Sequence, residues 1–199
     1  MKKFNKEIIN GVTFVDGYLI VNKQYSLPKN YGNGLTEELQ VAFFNMQNAA
    51  LKENIELKII SGFRSYEHQK EVYESYLKID SKESVDTYSA RPGHSEHQSG
   101  LAIDINKDDD SFIDTKEARW LDNNAYKYGF ILRYPEGKSE ITGYKYEPWH
   151  YRYVGEYLAK KLYNNGDWIT IEEYFKINKY LILCRRKLEV NKAINNLKK

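Results

Sequence analysis

Arg91-Pro92-Gly93-His94-Ser95-Glu96-His97-Gln98-Ser99-Gly100-Leu101-Ala102-Ile103-Asp104-Ile105 is the stretch on which the interpretation of this chain depends. It places two histidines ahead of a short apolar run that contains an aspartate. Burying a carboxylate in such a run costs free energy unless a charged or metal partner compensates it. A further histidine follows much later in the chain, in Glu147-Pro148-Trp149-His150.

These two motifs together supply a candidate set of zinc ligands: His97, Asp104 and His150. A catalytic zinc takes three protein ligands and keeps a fourth position open, whereas a structural zinc takes four. A tight turn at Gly100 would bring His97 back beside Asp104, and the second motif would add its histidine from a distance. Pairing His94 with His97 as ligands is an alternative.

Glu147 precedes His150 by three positions, so both side chains can face one cleft on an extended or turning segment. A carboxylate beside zinc-activated water can act as the general base in amide hydrolysis and return the proton to the leaving amine. An exposed loop glutamate is the alternative interpretation. The sequence on these grounds predicts a zinc peptidase.

Two further polar residues are candidates for substrate contacts. Arg64 follows a short strand, and its planar guanidinium could hold a carboxylate or a developing oxyanion. Ser95 lies two residues before His97 and could bond the substrate from the same face. A surface arginine and a simple turn hydroxyl are the corresponding alternatives.

Composition restricts the classes of protein that remain possible. The 199 residues are 41% hydrophobic and 15% aromatic, which predicts a folded domain with a substantial core. A formal charge of +2 gives no case for nucleic acid binding. One cysteine, Cys184, excludes an internal disulfide. The sequence predicts no transmembrane segment and no signal peptide, hence a cytoplasmic protein. A cell-wall location is the alternative if the chain belongs to a longer exported protein.

Local patterns predict a mixture of helices and short strands. Residues 1–34 are predicted to be an extended lead-in with strand pieces over 11–34. Helices are predicted over 37–53 after a Thr36 cap, over 66–79 after a Ser65 cap, from Asp114 to about 127, and after Thr170. Strands are predicted over 57–60, 101–105, 130–134 and 149–154, with a loop over 80–93.

The combined motifs resemble the VanY-type D-alanyl-D-alanine carboxypeptidases, which share a zinc fold with VanX dipeptidases and lysostaphin-like endopeptidases. The resemblance runs from about residue 19 to 175. It is carried by Ser95-x-His97-x-x-Gly100-x-Ala102-x-Asp104, by Glu147-x-x-His150, and by Gly62-Phe63-Arg64-Ser65. It implies an α+β fold of the hedgehog-like kind, with a small central antiparallel sheet flanked by helices.

The resemblance also implies roles for individual residues. It implies zinc on His97, Asp104 and His150, with Glu147 as base. Arg64 would polarise the scissile carbonyl or hold the oxyanion, and Gln69 and Ser95 would contact the peptide.

The implied function is zinc-dependent removal of a C-terminal D-alanine from a peptidoglycan peptide or its precursor by a monomer. Residues 1–176 would form the single peptidase domain, and 177–199 a basic helical tail. Alternatives are an L,D-carboxypeptidase acting on tetrapeptides and a VanXY-type enzyme that cleaves both dipeptide and longer precursor. A phage-type endopeptidase that cuts L-Ala-D-Glu and a non-catalytic cell-wall binding module are further alternatives.

Overall fold

The computed structural model describes residues 3–177. Nearly all of the predicted basic helix at 177–199 therefore lies outside the described residues. The described part is an α+β arrangement with seven strands, and these are β1 Lys6–Ile9, β2 Val12–Val15, β3 Tyr18–Ile20, β4 Ile59–Ser61, β5 Ala102–Ile105, β6 Phe130–Leu132 and β7 His150–Tyr153. Its α-helices are α1 Glu37–Lys52, α2 Tyr66–Tyr76, α3 Lys82–Val85, α4 Lys116–Asn124, α5 Ser139–Thr142, α6 Glu156–Tyr163 and α7 Ile171–Phe175.

The strands form two antiparallel sheets. The first three strands make an N-terminal meander in the order β1-β2-β3. The other four make the central sheet in the order β4-β5-β7-β6. This confirms the predicted small central antiparallel sheet, while the lead-in is more regular than the strand pieces expected over 11–34, since it is a paired sheet that begins at Lys6.

The core lies against the central sheet. All four residues of β5 are buried, and α1 buries the residues of one helical stripe: Leu39, Phe43, Met46 and Ala50. One connected cluster of buried apolar side chains extends along the chain from Val15 to Phe175. The central strands are short and almost fully buried, so side chains that point from them into the interior need polar partners within the protein.

Helix starts follow the predicted capping chemistry at three of four places. The hydroxyls of Thr36, Ser65 and Thr170 accept hydrogen bonds from backbone N–H groups of their first turns. The cap predicted at Asp114 is wrong by one residue, because the hydroxyl of Thr115 accepts from the N–H of Ala118. The helix expected to reach residue 127 ends at Asn124 and continues as a 3-10 turn over Ala125–Tyr128.

Several predicted boundaries differ from the structure. The loop expected over 80–93 contains the short helix α3, which begins after a Ser81 cap. Helix α2 ends at Tyr76 rather than at 79, and α5 interrupts the segment expected to lead directly into the last strand. Helices α3 and α5 are one turn long, too short for a helical repeat of apolar residues to reveal them. Among the described residues, no helix has both the length and the apolar character that crossing a bilayer requires.

Candidate metal and catalytic site

Strand register places two of the three candidate ligands, Asp104 and His150, side by side. Asp104 on β5 is paired with His150 on β7, and the carboxylate Oδ1 lies 3.0 Å from Nδ1 of the histidine. His97 comes from the 3-10 turn Glu96–Ser99, and its Nε2 lies 3.1 Å from Oδ2 of Asp104. The three ligand atoms lie within 4.8 Å of one another, and all three residues are buried.

The turn that carries His97 depends on Gly100. This residue adopts a left-handed conformation with φ of 71°, and a Cβ there would lie 2.2 Å from the carbonyl oxygen of Gly34. The backbone N–H of Gly100 donates to the carbonyl of His97 at 3.3 Å. A glycine is required here because any side chain would meet both steric and conformational obstacles.

The outer nitrogens of both histidines are held by the protein. Nδ1–H of His97 donates to the carbonyl oxygen of Gly62 at 2.7 Å, which directs the lone pair of Nε2 toward Asp104. Nε2 of His150 lies 3.4 Å from Oε2 of Glu96, and this contact directs Nδ1 of His150 toward Asp104. Partners of this kind fix the tautomer and orientation of metal-ligating histidines. Two neutral imidazoles and a carboxylate suit zinc, so the donor set fits that ion.

Electrostatics support the same interpretation. Burial disfavours the charged form of Asp104, but His97 and His150 outweigh it and hold the pKa of the carboxyl below its usual value. Burial likewise disfavours protonated His150, but hydrogen bonds to Asp104 and Glu96 raise its pKa to about 9. Because a ligating histidine must be neutral, zinc would compete with a proton for the ring nitrogen of His150.

Glu147 lies beside this group. Its Oε2 is 3.8 Å from Nδ1 of His150, and its side chain is 13% exposed. Burial raises the pKa of Glu147 to about 7; the charge of Asp104 adds to this effect, and that of His150 opposes it. A carboxyl with a pKa near neutrality can both accept and return a proton. The exposed loop glutamate considered from the sequence is not what the structure shows.

Arg64 and Gln69 form a hydrogen-bonded pair at the edge of the site. Nη1 of Arg64 donates to Oε1 of Gln69 at 3.0 Å, and Nη2 donates to Oγ of Ser61 at 3.0 Å. No carboxylate among residues 3–177 makes a salt bridge with Arg64, so its charge is not neutralised by the described protein. Gln69 also donates from Nε2 to the carbonyl of Ala90 at 2.7 Å, which leaves its amide committed to internal bonds.

The two remaining candidates lie in the loop before the 3-10 turn. Ser95 is buried and immediately precedes the turn that carries His97, but its hydroxyl caps no backbone N–H there. His94 is directed elsewhere, since its Nδ1–H donates to the carbonyl of Asn22 at 2.8 Å. It does not belong to the cluster of ligand atoms, so the alternative pairing of His94 with His97 finds no geometric support.

Sequence reasoning missed a buried ion network behind the site. Oε1 of Glu96 accepts from Arg133 at 2.8 Å and from Arg152 at 3.0 Å, and Arg133 also binds both carboxylate oxygens of Glu172. The two arginines outweigh the cost of burial and hold the pKa of Glu96 below its usual value. The signal in the sequence was two arginines inside apolar strand segments, at Phe130-Ile131-Leu132-Arg133 and His150-Tyr151-Arg152, which require acidic partners.

Comparisons with known proteins found a matching family and similar relatives. The VanY family profile, described as D-alanyl-D-alanine carboxypeptidase, matches residues 32–156. The "Putative carboxypeptidase YodJ" of Bacillus subtilis (strain 168) is 40% identical over 182 residues, 79% of this chain. That match spans 66% of YodJ, just under two thirds of its length.

Two solved structures are similar over most of the fold. The LD-carboxypeptidase LdcB superposes with a TM-score of 0.79 at 37% identity, covering 89% of this chain and 97% of that one. The vancomycin resistance D,D-pentapeptidase VanY in complex with Zn(II) superposes with a TM-score of 0.65 at 38% identity, covering 78% and 96%. With the matched family profile and the close relative, these similarities show that the chain belongs to the VanY family of D-alanyl-D-alanine carboxypeptidases.

Proposed function

We propose that this protein is a zinc-dependent carboxypeptidase that removes a C-terminal D-alanine from peptidoglycan peptides or their precursors. The observation that carries the proposal is the position of Glu147 beside three converging ligands, His97, Asp104 and His150. Three ligands with an adjacent carboxylate are the arrangement of a hydrolytic zinc centre rather than a structural one. Family membership supplies the substrate class.

The residues of the chain divide the chemistry among them. When bound, zinc supplies a Lewis acid that polarises the scissile carbonyl and acidifies water. Glu147 accepts the proton of the attacking water at its carboxylate and returns it to the departing amine of D-alanine. Burial of Glu147 and the ligands keeps bulk water away from these proton transfers, which strengthens the electrostatic contributions of the site.

Arg64 is proposed to bind negative charge on the substrate, either the oxyanion or the polarised carbonyl oxygen. This role is supported by its bonds to the neutral groups of Ser61 and Gln69, which orient the guanidinium without neutralising it. Gln69 would then act chiefly by positioning Arg64, since its side chain is buried and already bonded to Arg64 and to the carbonyl of Ala90. Ser95, with its buried hydroxyl next to the His97 turn, is proposed to contact the peptide directly.

An L,D-carboxypeptidase is the second candidate. A specific observation favours it: LdcB, named an LD-carboxypeptidase, superposes over 89% of this chain, against 78% for the D,D-pentapeptidase VanY. Both activities would release a terminal D-alanine and would differ in the chirality of the preceding residue. The family profile favours the D,D activity.

Mass spectrometry of the products from a peptide panel tests the proposal. The panel holds the dipeptide D-Ala-D-Ala, a pentapeptide that ends in it, and a tetrapeptide that ends in L-Lys-D-Ala, each with and without a chelator. Chelator-sensitive loss of one alanine from the pentapeptide is expected, and dipeptide cleavage would add the VanXY-type activity. Cleavage of the tetrapeptide alone would reassign the protein to the L,D class. An intact panel with zinc bound would contradict a carboxypeptidase function.

The site is built from one chain only, so we propose that the protein acts as a monomer. Light scattering during size-exclusion chromatography tests this, with a mass near 23.5 kDa expected for the full chain. An active species of twice that mass, with no active monomer, would contradict it.

A further inference from the structure

A cavity of about 540 Å³ opens on the side of the fold next to Glu147. Its wall includes Lys23, Asp86, Arg91, Thr142 and Tyr144. We call it the Lys23 cavity. The candidate metal ligands do not line it. The other residues with proposed roles at the site do not line it either: Arg64, Gln69, Ser95 and Glu147.

Lys23 supplies a cation to the wall of the cavity, where the charges of Asp86 and Glu147 act on it. Its ammonium lies 3.6 Å from the centre of the Tyr144 ring and donates a hydrogen bond to the backbone carbonyl of Asp86. Within residues 3–177 no carboxylate makes a salt bridge with Lys23. The aliphatic part of its side chain crosses Gly143, where a Cβ would lie 2.6 Å from Cε of the lysine. The backbone at Gly143 therefore leaves room for the lysine to lie across it.

A second cation of the cavity wall, Arg91, is also available to an anion. Arg91 binds Asp86 through Nε at 3.0 Å and through Nη2, which leaves N–H groups on Nη1 for a ligand. The acidic wall residue Glu172 is neutralised by Arg133, while Glu140 is exposed.

The cavity is physically connected to the metal and catalytic site. Asn22 and Glu172 line it, and Nδ2 of Asn22 donates to Glu172 at 3.0 Å. Glu172 binds Arg133, Arg133 binds Glu96, and Glu96 lies against His150. Tyr144 is three residues before Glu147 in the same segment.

We propose that the Lys23 cavity is a substrate subsite that binds a carboxylate of the peptide, with Lys23 as its cation. Arg91 would add hydrogen bonds to the same group. The inference rests on the proposed peptidase function, since it assigns part of that substrate to the cavity. Two sources of the carboxylate share this chemistry: the C-terminus of the peptide, and an acidic residue upstream of the bond to be cleaved.

Binding to uncleavable peptides tests the subsite independently of turnover. Three peptides carry a ketomethylene group in place of the terminal amide bond. The first has an upstream acidic residue and a free C-terminus, the second has the acidic residue as its carboxamide, and the third has the C-terminus as its carboxamide. Calorimetry with the zinc-loaded wild-type protein measures the dissociation constants. Hydrolysis of the parent peptides is measured separately, so a failure of the proposed function shows itself there and not in binding.

We expect the wild-type protein to bind the first peptide at least about tenfold more tightly than one of the two carboxamides, because a charge-assisted hydrogen bond is lost. Lys23→Met should abolish that preference, and Lys23→Arg should retain it. Lys145→Met is the matched control, because Lys145 is an exposed lysine that also lies over a tyrosine ring, 5.3 Å from the centre of Tyr88.

The pattern of loss identifies the source of the carboxylate. Loss of discrimination against the second peptide assigns the cavity to the upstream acidic residue, and loss against the third assigns it to the C-terminus. Both support a carboxylate subsite. Unchanged discrimination against both carboxamides in Lys23→Met would overturn the inference, as would an equal effect of Lys145→Met.

Discussion

Asp104 and His150 lie opposite each other on neighbouring antiparallel strands, with Oδ1 of the aspartate 3.0 Å from Nδ1 of the histidine. The pairing of β5 with β7 therefore positions two candidate ligands that are far apart in sequence. A slip of one residue in this register would turn one of them to the other face of the sheet. The buried side chains that fix the register are thus a condition for forming the site.

Replacing Glu147 should separate metal binding from turnover. Glu147→Ala is expected to bind zinc as the wild type does and to lose about 10²–10⁴-fold in kcat, because it removes the proton acceptor and no ligand. His150→Ala is the matched comparison and should lose both properties. Elemental analysis of the dialysed proteins measures zinc, and mass spectrometry measures released D-alanine. A wild-type rate in Glu147→Ala would show that the base assignment is wrong.

Glu96 should stabilise both the fold and the metal site. Glu96→Gln removes the carboxylate that Arg133 and Arg152 share, and both guanidinium groups are buried. Breaking a buried ion pair in this way costs about 3–5 kcal/mol of the free energy of unfolding. Zinc affinity should fall by about 10–100-fold, because the outer partner of His150 is altered. Urea denaturation measures the first effect, and competition with a zinc-binding dye measures the second.

Glu156→Gln is the control for this prediction. Glu156 pairs with Lys160 at 3.3 Å, but the two side chains are 65% and 56% exposed. Loss of such a surface pair should change stability by no more than about 0.5 kcal/mol. Equal effects of the two substitutions would contradict the structural role given to Glu96.

Gly100 should tolerate replacement by alanine less well than Gly17, another glycine with a positive φ angle. Gly17 has φ of +82°, and a Cβ at that position would have nothing within 4 Å, so Gly17→Ala isolates the conformational cost of about 1–2 kcal/mol. Gly100→Ala adds a clash with the Gly34 carbonyl, for a further loss of about 1–3 kcal/mol. Since His97 lies in the same turn, zinc binding should weaken only in Gly100→Ala. Thermal unfolding and zinc content check both effects, and identical behaviour of the two variants would exclude the close approach as the cause.

Asp86 should make stability depend on pH in the acid range. A hydrogen bond from Arg91 is the main cause that lowers the pKa of Asp86 from 3.8 to about 2 in the folded protein. Because the folded value lies below the unfolded one, its contribution is fully present above about pH 5 and is lost as the pH falls toward about 2. The half-exposed arginine reduces that contribution to about 1–2 kcal/mol. Asp86→Asn should have a lower free energy of unfolding than the wild type above about pH 5, and this difference should shrink as the pH falls toward about 2. A difference that does not change with pH would contradict the prediction.

Much of the site could be predicted from sequence because its residue types are chemically unusual where they occur. Histidines and an aspartate at the end of an apolar strand demand a compensating partner, and this reasoning identified His97, Asp104 and His150 as one group. The caps at Thr36, Ser65 and Thr170 were also predictable, since a hydroxyl before an amphipathic run is favoured as the helix N-cap. These features depend on local chemistry that the sequence displays directly.

The remainder depends on contacts between distant segments. The carboxylate of Glu96 is shared by arginines on two strands and reaches Glu172 only through Arg133, a relationship that no local pattern encodes. The Lys23 cavity likewise forms where the lead-in meets the segments around Arg91 and Tyr144. The short helices α3 and α5 were missed because one turn offers too few residues to establish a period.

Titration of the metal-free protein with zinc tests the central claim most directly. Metal is removed with a chelator, zinc is added stepwise, and released D-alanine is measured by mass spectrometry on the pentapeptide that ends in D-Ala-D-Ala. Activity should be absent without metal and should rise linearly to a plateau at one zinc per chain, with no such rise in His150→Ala. Release of D-alanine by the metal-free protein, or a fully zinc-loaded protein that leaves both this peptide and the L-Lys-D-Ala tetrapeptide intact, would contradict the account.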